Sequence, residues 1–138
     1  MGVILDTSVL VEAERRQVHF EESLRTWGDE PVAMAAITAA ELLHGCHRAV
    51  DAGVRARRAA FVEGLLDLVP VLPFGLPEAR RHAELWAELT RAGEPIGPYD
   101  MLVAATALAH GYALATFNGR EFSRIQGLRL VAVGDPGS

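Results

Sequence analysis

Lysine is absent from these 138 residues: all 13 basic residues are arginine. That excludes a P-loop NTPase, whose phosphate-binding loop depends on a lysine. Cysteine occurs once, as Cys46, so no disulfide can form within the chain, and a reducing, cytoplasmic setting is expected. Aromatic residues are few, but half of the chain is hydrophobic and no long polar tract occurs, which argues against disorder. No apolar run approaches the roughly 20 residues that span a bilayer, so no membrane association is expected. The opening MGVILD has no basic stretch and turns acidic at once, unlike a signal peptide. Positive charge is also short: the net charge is −5 and the pI is near 5.5. A general nucleic-acid coat would be basic. An enzyme that meets a phosphate backbone through bound cations and a local arginine patch is not excluded.

What is present alternates between buried strands and helices, with no repeat or linker, and is expected to form one domain over residues 1–138. Gly2 to Leu5 reads as a short strand, with Thr7 or Ser8 capping a helix to about Arg16. Phe20 to Gly28 reads as a second helix, Pro31 to Ile37 as a second strand, and Thr38 opens a helix through His47. Asp51 to Leu68 is a longer amphipathic helix with Arg55, Arg57 and Arg58 on its polar side. Val69 to Phe74 carries Pro70 and Pro73 and fits only an edge strand. Helices over Leu76 to Arg91 and Tyr99 to His110 follow, the latter ending at Gly111, then strands at Tyr112 to Thr116 and Leu128 to Val133. Apolar strands separated by helices imply an α/β fold: a parallel sheet of about four to five strands covered by helices on both faces.

That topology brings distant residues together. Asp6 ends the first strand, Glu41 lies in the first turn of the helix after the second, Asp100 opens a helix, and Asn118 follows a late strand. All four fall at the carboxyl edge of the sheet, where open α/β sheets bind ligands. Each acid also has a plain structural role available. Thr38-Ala39-Ala40-Glu41 spells a capping box, Asp100 suits a helix start, and Asp6 suits a strand-to-helix turn. As a set they are harder to explain so, because three like charges at one edge repel unless a cation or raised pKa values intervene. Carboxylates without His or Cys alongside favour Mg²⁺ or Mn²⁺ over zinc.

The segments VILDTSVLV, TAAELLHG, IGPYDMLVAATALAHG and ATFNGREFSRIQGL, in this order, resemble a PIN-domain ribonuclease, and more narrowly the VapC-type toxins of bacterial toxin–antitoxin (VapBC) pairs. The resemblance spans essentially the whole chain. It implies a PIN-like three-layer sandwich and a Mg²⁺-dependent endoribonuclease (Mn²⁺ being possible). Expected partners are an RNA substrate, a cognate VapB-type antitoxin and a second copy of the chain. Carried over by motif, Asp6, Glu41 and Asp100 form the acidic triad, with Thr7 or Ser8 orienting Asp6 and Thr116 supporting the same wall. The family commonly has a fourth acid where this chain has Asn118, which offers a carbonyl oxygen but no charge, so a second metal should bind weakly. Glu121 is a possible substitute, expected to face solvent instead.

The implied chemistry is in-line attack by a metal-activated water, leaving 5′-phosphate and 3′-hydroxyl ends. Arg15, Arg16, Arg120 and Arg124 are candidate RNA-facing cations or plain surface residues. His44, Cys46 and His47 do not share one helix face, so helix packing is expected of them rather than zinc binding. Trp27, Trp86 and Phe61 are read as core or partner-contact residues. A phosphatase of the aspartyl-phosphate type would want a second acid at position 8, which is Ser8, and a lysine. Two alternatives share the acidic site: a PIN-type nuclease of RNA maturation or DNA processing, and a weak PIN domain used for binding alone.

Overall fold

A strand in which every side chain is apolar and buried, as in Val3–Leu5, suits the middle of a sheet that is covered on both faces. The computed structural model, which describes residues 2–16, 30–131 and 133, places that strand at the centre. The helix expected over Phe20 to Gly28 lies outside the described residues. In chain order the elements are β1 (Val3–Leu5), α1 (Thr7–Arg15), β2 (Val32–Ala35), α2 (Ala36–Arg48), α3 (Ala52–Leu68) and β3 (Val71–Leu72). Then come α4 (Leu76–Ala92), α5 (Pro98–His110), β4 (Ala113–Ala115), α6 (Gly119–Phe122) and β5 (Leu130–Val131). The sheet runs β3-β2-β1-β4-β5 and all its pairings are parallel.

Side-chain alternation sorts the core into two layers. Val3, Leu5, Met34 and Ala115 point to one face, where they meet Leu10 of α1, Leu42 and Cys46 of α2, and Val62 and Leu65 of α3. Ile4, Ala35 and Leu114 point to the other, against Leu85 and Leu89 of α4, Val103 and Ala104 of α5, and Phe122 of α6. The three-layer α/β sandwich is therefore as expected. Pro70 and Pro73 flank β3, which is confined to two residues at the sheet edge. No helix among the described residues is long and apolar enough to cross a membrane.

Helix ends differ from the sequence expectation in two places that bear on the site. Neither Thr7 nor Ser8 caps α1: Asp6 is the N-cap residue, and its backbone carbonyl accepts from Val9 N–H at 3.0 Å. The second helix begins at Ala36 rather than Thr38, because β2 ends at Ala35 and that residue's extended backbone serves as the N-cap. Thr38 is thereby carried inside, its hydroxyl fully buried without a hydrogen-bond partner, and the capping box with Glu41 does not form. Side-chain caps exist elsewhere. Asp51 accepts from Val54 N–H at 2.9 Å, and Glu78 accepts from Gly75 N–H at 2.7 Å. Gly93 and Gly111 close α4 and α5 in the left-handed conformation.

The central strands should dominate stability. Leu114→Ala, at a fully buried position on β4, is expected to cost roughly 2–5 kcal/mol in urea unfolding. Val71→Ala, on the half-exposed edge strand, should cost about 1 kcal/mol or less.

Candidate metal centre

The strand order reverses about β1, since the chain moves out through β2 and β3 and returns on the other side at β4. A crevice opens beyond the carboxyl ends of strands at such a point. Asp6 leaves β1 there and is 3% exposed. Its backbone N–H donates to Ala115 O at 3.0 Å, which extends the β1–β4 pairing by one residue and sets the height of the carboxylate.

Two hydroxyls then fix the carboxylate. Thr116 Oγ1, just beyond β4, donates to Asp6 Oδ2 at 2.7 Å, and Ser8 Oγ donates to the same oxygen at 2.9 Å. The loop after β4 is tied to this pair in turn. Phe117 N–H donates to Ser8 Oγ at 3.1 Å, and Asn118 N–H donates to Thr116 Oγ1 at 2.9 Å. Ser8 and Thr116 thus hold Asp6. Thr7 serves a different acid: its hydroxyl donates to Glu41 Oε1 at 3.0 Å. Because α2 starts at Ala36, Glu41 sits in its second turn rather than its first, facing α1 instead of reaching back to a cap.

The acids feel one another. Partial burial raises the pKa of Glu41, the hydrogen bond from Thr7 opposes that rise, and the charge of Asp6 adds to it. Asp100, in the first turn of α5, is pushed up to about 7. Burial is the largest cause, followed by a hydrogen bond to Glu121 and then by the negative charges of Asp6, Glu121 and Glu41. Two carboxyl groups in hydrogen-bond contact must hold a proton between them or be bridged by a cation.

Glu121 therefore corrects the sequence reading, which turned it to solvent. It lies half-buried on α6 against Asp100, while Asn118 is exposed and makes no side-chain cap bond. A signal for this existed: Glu121 is an acid in the first turn of the helix that follows β4, the same placement that singled out Asp100. Phe122, fully buried beside it, anchors that turn. Other candidates have other surroundings. Arg124 is tied to Pro95 O at 2.9 Å. His44 and His47 are exposed rather than packed, and the buried Cys46 thiol donates to Leu42 O.

The donor set is all oxygen and its unrelieved repulsion suits a hard divalent cation. Among the described residues, however, no three His, Cys, Asp or Glu side chains already enclose a point where an ion could sit. The fit is one of chemistry: Asp100, its pKa raised by burial, by a hydrogen bond with Glu121 and by neighbouring charge, stands where a cation would offset the repulsion.

Comparison with known proteins shows the family and the fold. The PIN domain family matches residues 3–128. Ribonuclease VapC1 of Rickettsia felis is 39% identical over 134 residues, covering 96% of this chain and 97% of the relative. The tRNA(fMet)-specific endonuclease VapC of Salmonella typhimurium is 31% identical over 92% of this chain and 94% of its own. Among solved structures, VapBC2 of Rickettsia felis bound to a promoter DNA fragment matches with a TM-score of 0.87 at 26% identity, covering 96% of this chain and 99% of the other. DNA-bound VapBC from Salmonella typhimurium matches with a TM-score of 0.85 at 29% identity, over 96% and 98% of the two chains. The chain belongs to the PIN-domain family and, within it, to the VapC ribonucleases.

The raised Asp100 pKa has a consequence for stability. The folded state holds a proton that the unfolded carboxyl, with its ordinary value of 3.8, has released. This contribution is therefore fully present below about pH 4 and is lost as pH rises toward 7. In metal-free protein, Asp100→Asn should gain stability relative to the parent as pH rises through that window. Urea midpoints measured at several pH values check the sign.

Proposed function

We propose that this chain is the toxin of a toxin–antitoxin pair and acts as a Mg²⁺-dependent endoribonuclease. The observation that carries the reading is the Asp6 carboxylate, buried at the sheet's switch point, held by Ser8 and Thr116, and lying within the field of Glu41 and Asp100. Asp6, Glu41 and Asp100 would hold the ion, with Glu121 as the fourth carboxylate in place of Asn118. A bound divalent ion supplies a more acidic water and positive charge against the scissile phosphate. The residues do the rest. Ser8 and Thr116 keep one oxygen of Asp6 occupied, which fixes the carboxylate's orientation and leaves the other oxygen to hold the ion. Thr7 holds one oxygen of Glu41 in the same manner. Asp100 and Glu121 would complete the oxygen set that holds the ion, and no side-chain nucleophile is required.

Glu121 also weakens the case for a degenerate, binding-only domain, which rested on Asn118. The VapBC relatives are complexes of toxin with antitoxin, and the partner proposed here is a VapB-type antitoxin. A homodimer is proposed as well, in keeping with the exposed apolar residues Leu68, Leu76 and Trp86 on α3 and α4. Light scattering should give about twice the 14.9 kDa chain mass; a monomer mass at micromolar concentration would remove that part of the reading.

Purified protein freed of antitoxin should cleave RNA with Mg²⁺ and stop in EDTA. Asp6→Asn and Asp100→Asn should fall to background. Ser8→Ala and Thr116→Ala should lose roughly 10–100-fold in activity or metal affinity, since they remove only the groups that orient a ligand. Full activity in Asp6→Asn would overturn the assignment.

A further inference from the structure

Among the described residues, the only buried side-chain oxygen or nitrogen without a hydrogen-bond partner is Thr38 Oγ1. At 0% exposure Thr38 is also closed to solvent, so water does not satisfy it. A hydroxyl left in this way destabilises a fold, whereas an apolar group of the same shape does not. A helical threonine can turn its hydroxyl to the carbonyl three or four residues back. For Thr38 those residues are Met34 and Ala35, which belong to strand β2, so the usual helical acceptor is not in place.

The orphan stands beside the acids. β2 runs next to β1 with Ile4 opposite Ala33. Two residues further on, the start of α2 at Ala35 is therefore level with Asp6. Glu41 follows Thr38 by three residues on α2, which makes the two side chains neighbours on one face, with Cβ atoms about 5–6 Å apart. Side chains on a helix lean toward its N-terminus, so Glu41 leans back over the turn that carries Thr38. The other three hydroxyls of this edge each donate to a carboxylate: Thr7 to Glu41, and Ser8 and Thr116 to Asp6. Thr38 has the same chemistry and no acceptor. Among the described residues no three His, Cys, Asp or Glu side chains already enclose a point for an ion. At least one acid must therefore turn to hold one, and Glu41 is only half-buried.

Resting on the metal reading above, we propose that Thr38 is a positioning residue of the site, whose hydroxyl donates to the second oxygen of Glu41 once a divalent ion draws that carboxylate toward Asp6. Thr7 keeps Oε1, Thr38 takes Oε2, and the remaining lone pairs of the carboxylate serve the ion. The ion then supplies the acceptor that the metal-free fold withholds from Thr38. Removing the hydroxyl therefore acts with opposite sign on metal-free stability and on ion affinity, which a packing role alone does not produce.

The test combines urea unfolding in EDTA with Mn²⁺ binding by calorimetry, on the wild-type protein, Thr38→Val and Thr38→Ser. Thr38→Val should raise the urea midpoint in EDTA and weaken Mn²⁺ binding roughly 10- to 100-fold. Thr38→Ser, which keeps the hydroxyl, should keep the wild-type affinity. Thr38→Ala set against Thr38→Ser reads the same contrast should Thr38→Val not fold. Unchanged Mn²⁺ affinity without the hydroxyl, or a loss in Thr38→Ser as large as in Thr38→Val, would overturn the proposal. So would a lower urea midpoint for folded Thr38→Val in EDTA, which would mean that the hydroxyl already has a partner. Wild-type protein that binds no Mn²⁺ would sink the metal reading and the role of Thr38 with it. Wild-type binding beside an indifferent Thr38→Val would remove the role of Thr38 alone.

Discussion

The hydroxyl clamp on Asp6 is the contact on which the rest of the site depends. A carboxylate at 3% exposure is costly to bury unless it is hydrogen-bonded. Here Thr116 and Ser8 both donate to Oδ2, and they arrive from opposite directions in sequence, one following β4 and the other opening α1. The same contact closes the sheet's switch point, because Asp6 N–H to Ala115 O is the last rung between β1 and β4. Burial raises the pKa values of Glu41 and Asp100, and the charge of Asp6 adds to both.

Much of the fold was legible because the strands are uninterrupted apolar runs and two of the helices, α4 and α5, end on glycine. Gly111 closed α5 as its sequence context implied, and the prolines confined β3 to the edge. Helix starts were harder to read. Thr38 looked like a cap, yet the chain turned helical at Ala36, and burial of the helix in the sandwich prevailed over a local hydrogen bond. Local preference of that kind is worth about 1 kcal/mol, less than packing a helix can supply.

The three principal acids were legible from topology, since a parallel sheet sends every strand end to one edge. The role of Glu121 was only hinted at, by its place in the first turn of a helix. It depends on the pitch of a four-residue helix, which sets Phe122 inward and Glu121 against Asp100. The separate duties of Thr7 and Ser8 were equally hidden, because adjacent residues at the start of α1 face different acids.

The crowding of Asp6, Glu41, Asp100 and Glu121 at one edge of the sheet is the feature that a metal site explains and a set of helix caps does not. Anomalous diffraction from crystals soaked in Mn²⁺ tests this most directly. The account predicts a manganese peak bound by Asp6 and Asp100, with Glu41 and Glu121 turned toward it. No peak at that edge of the sheet, or a peak held only by exposed residues such as His44 and His47, would contradict it.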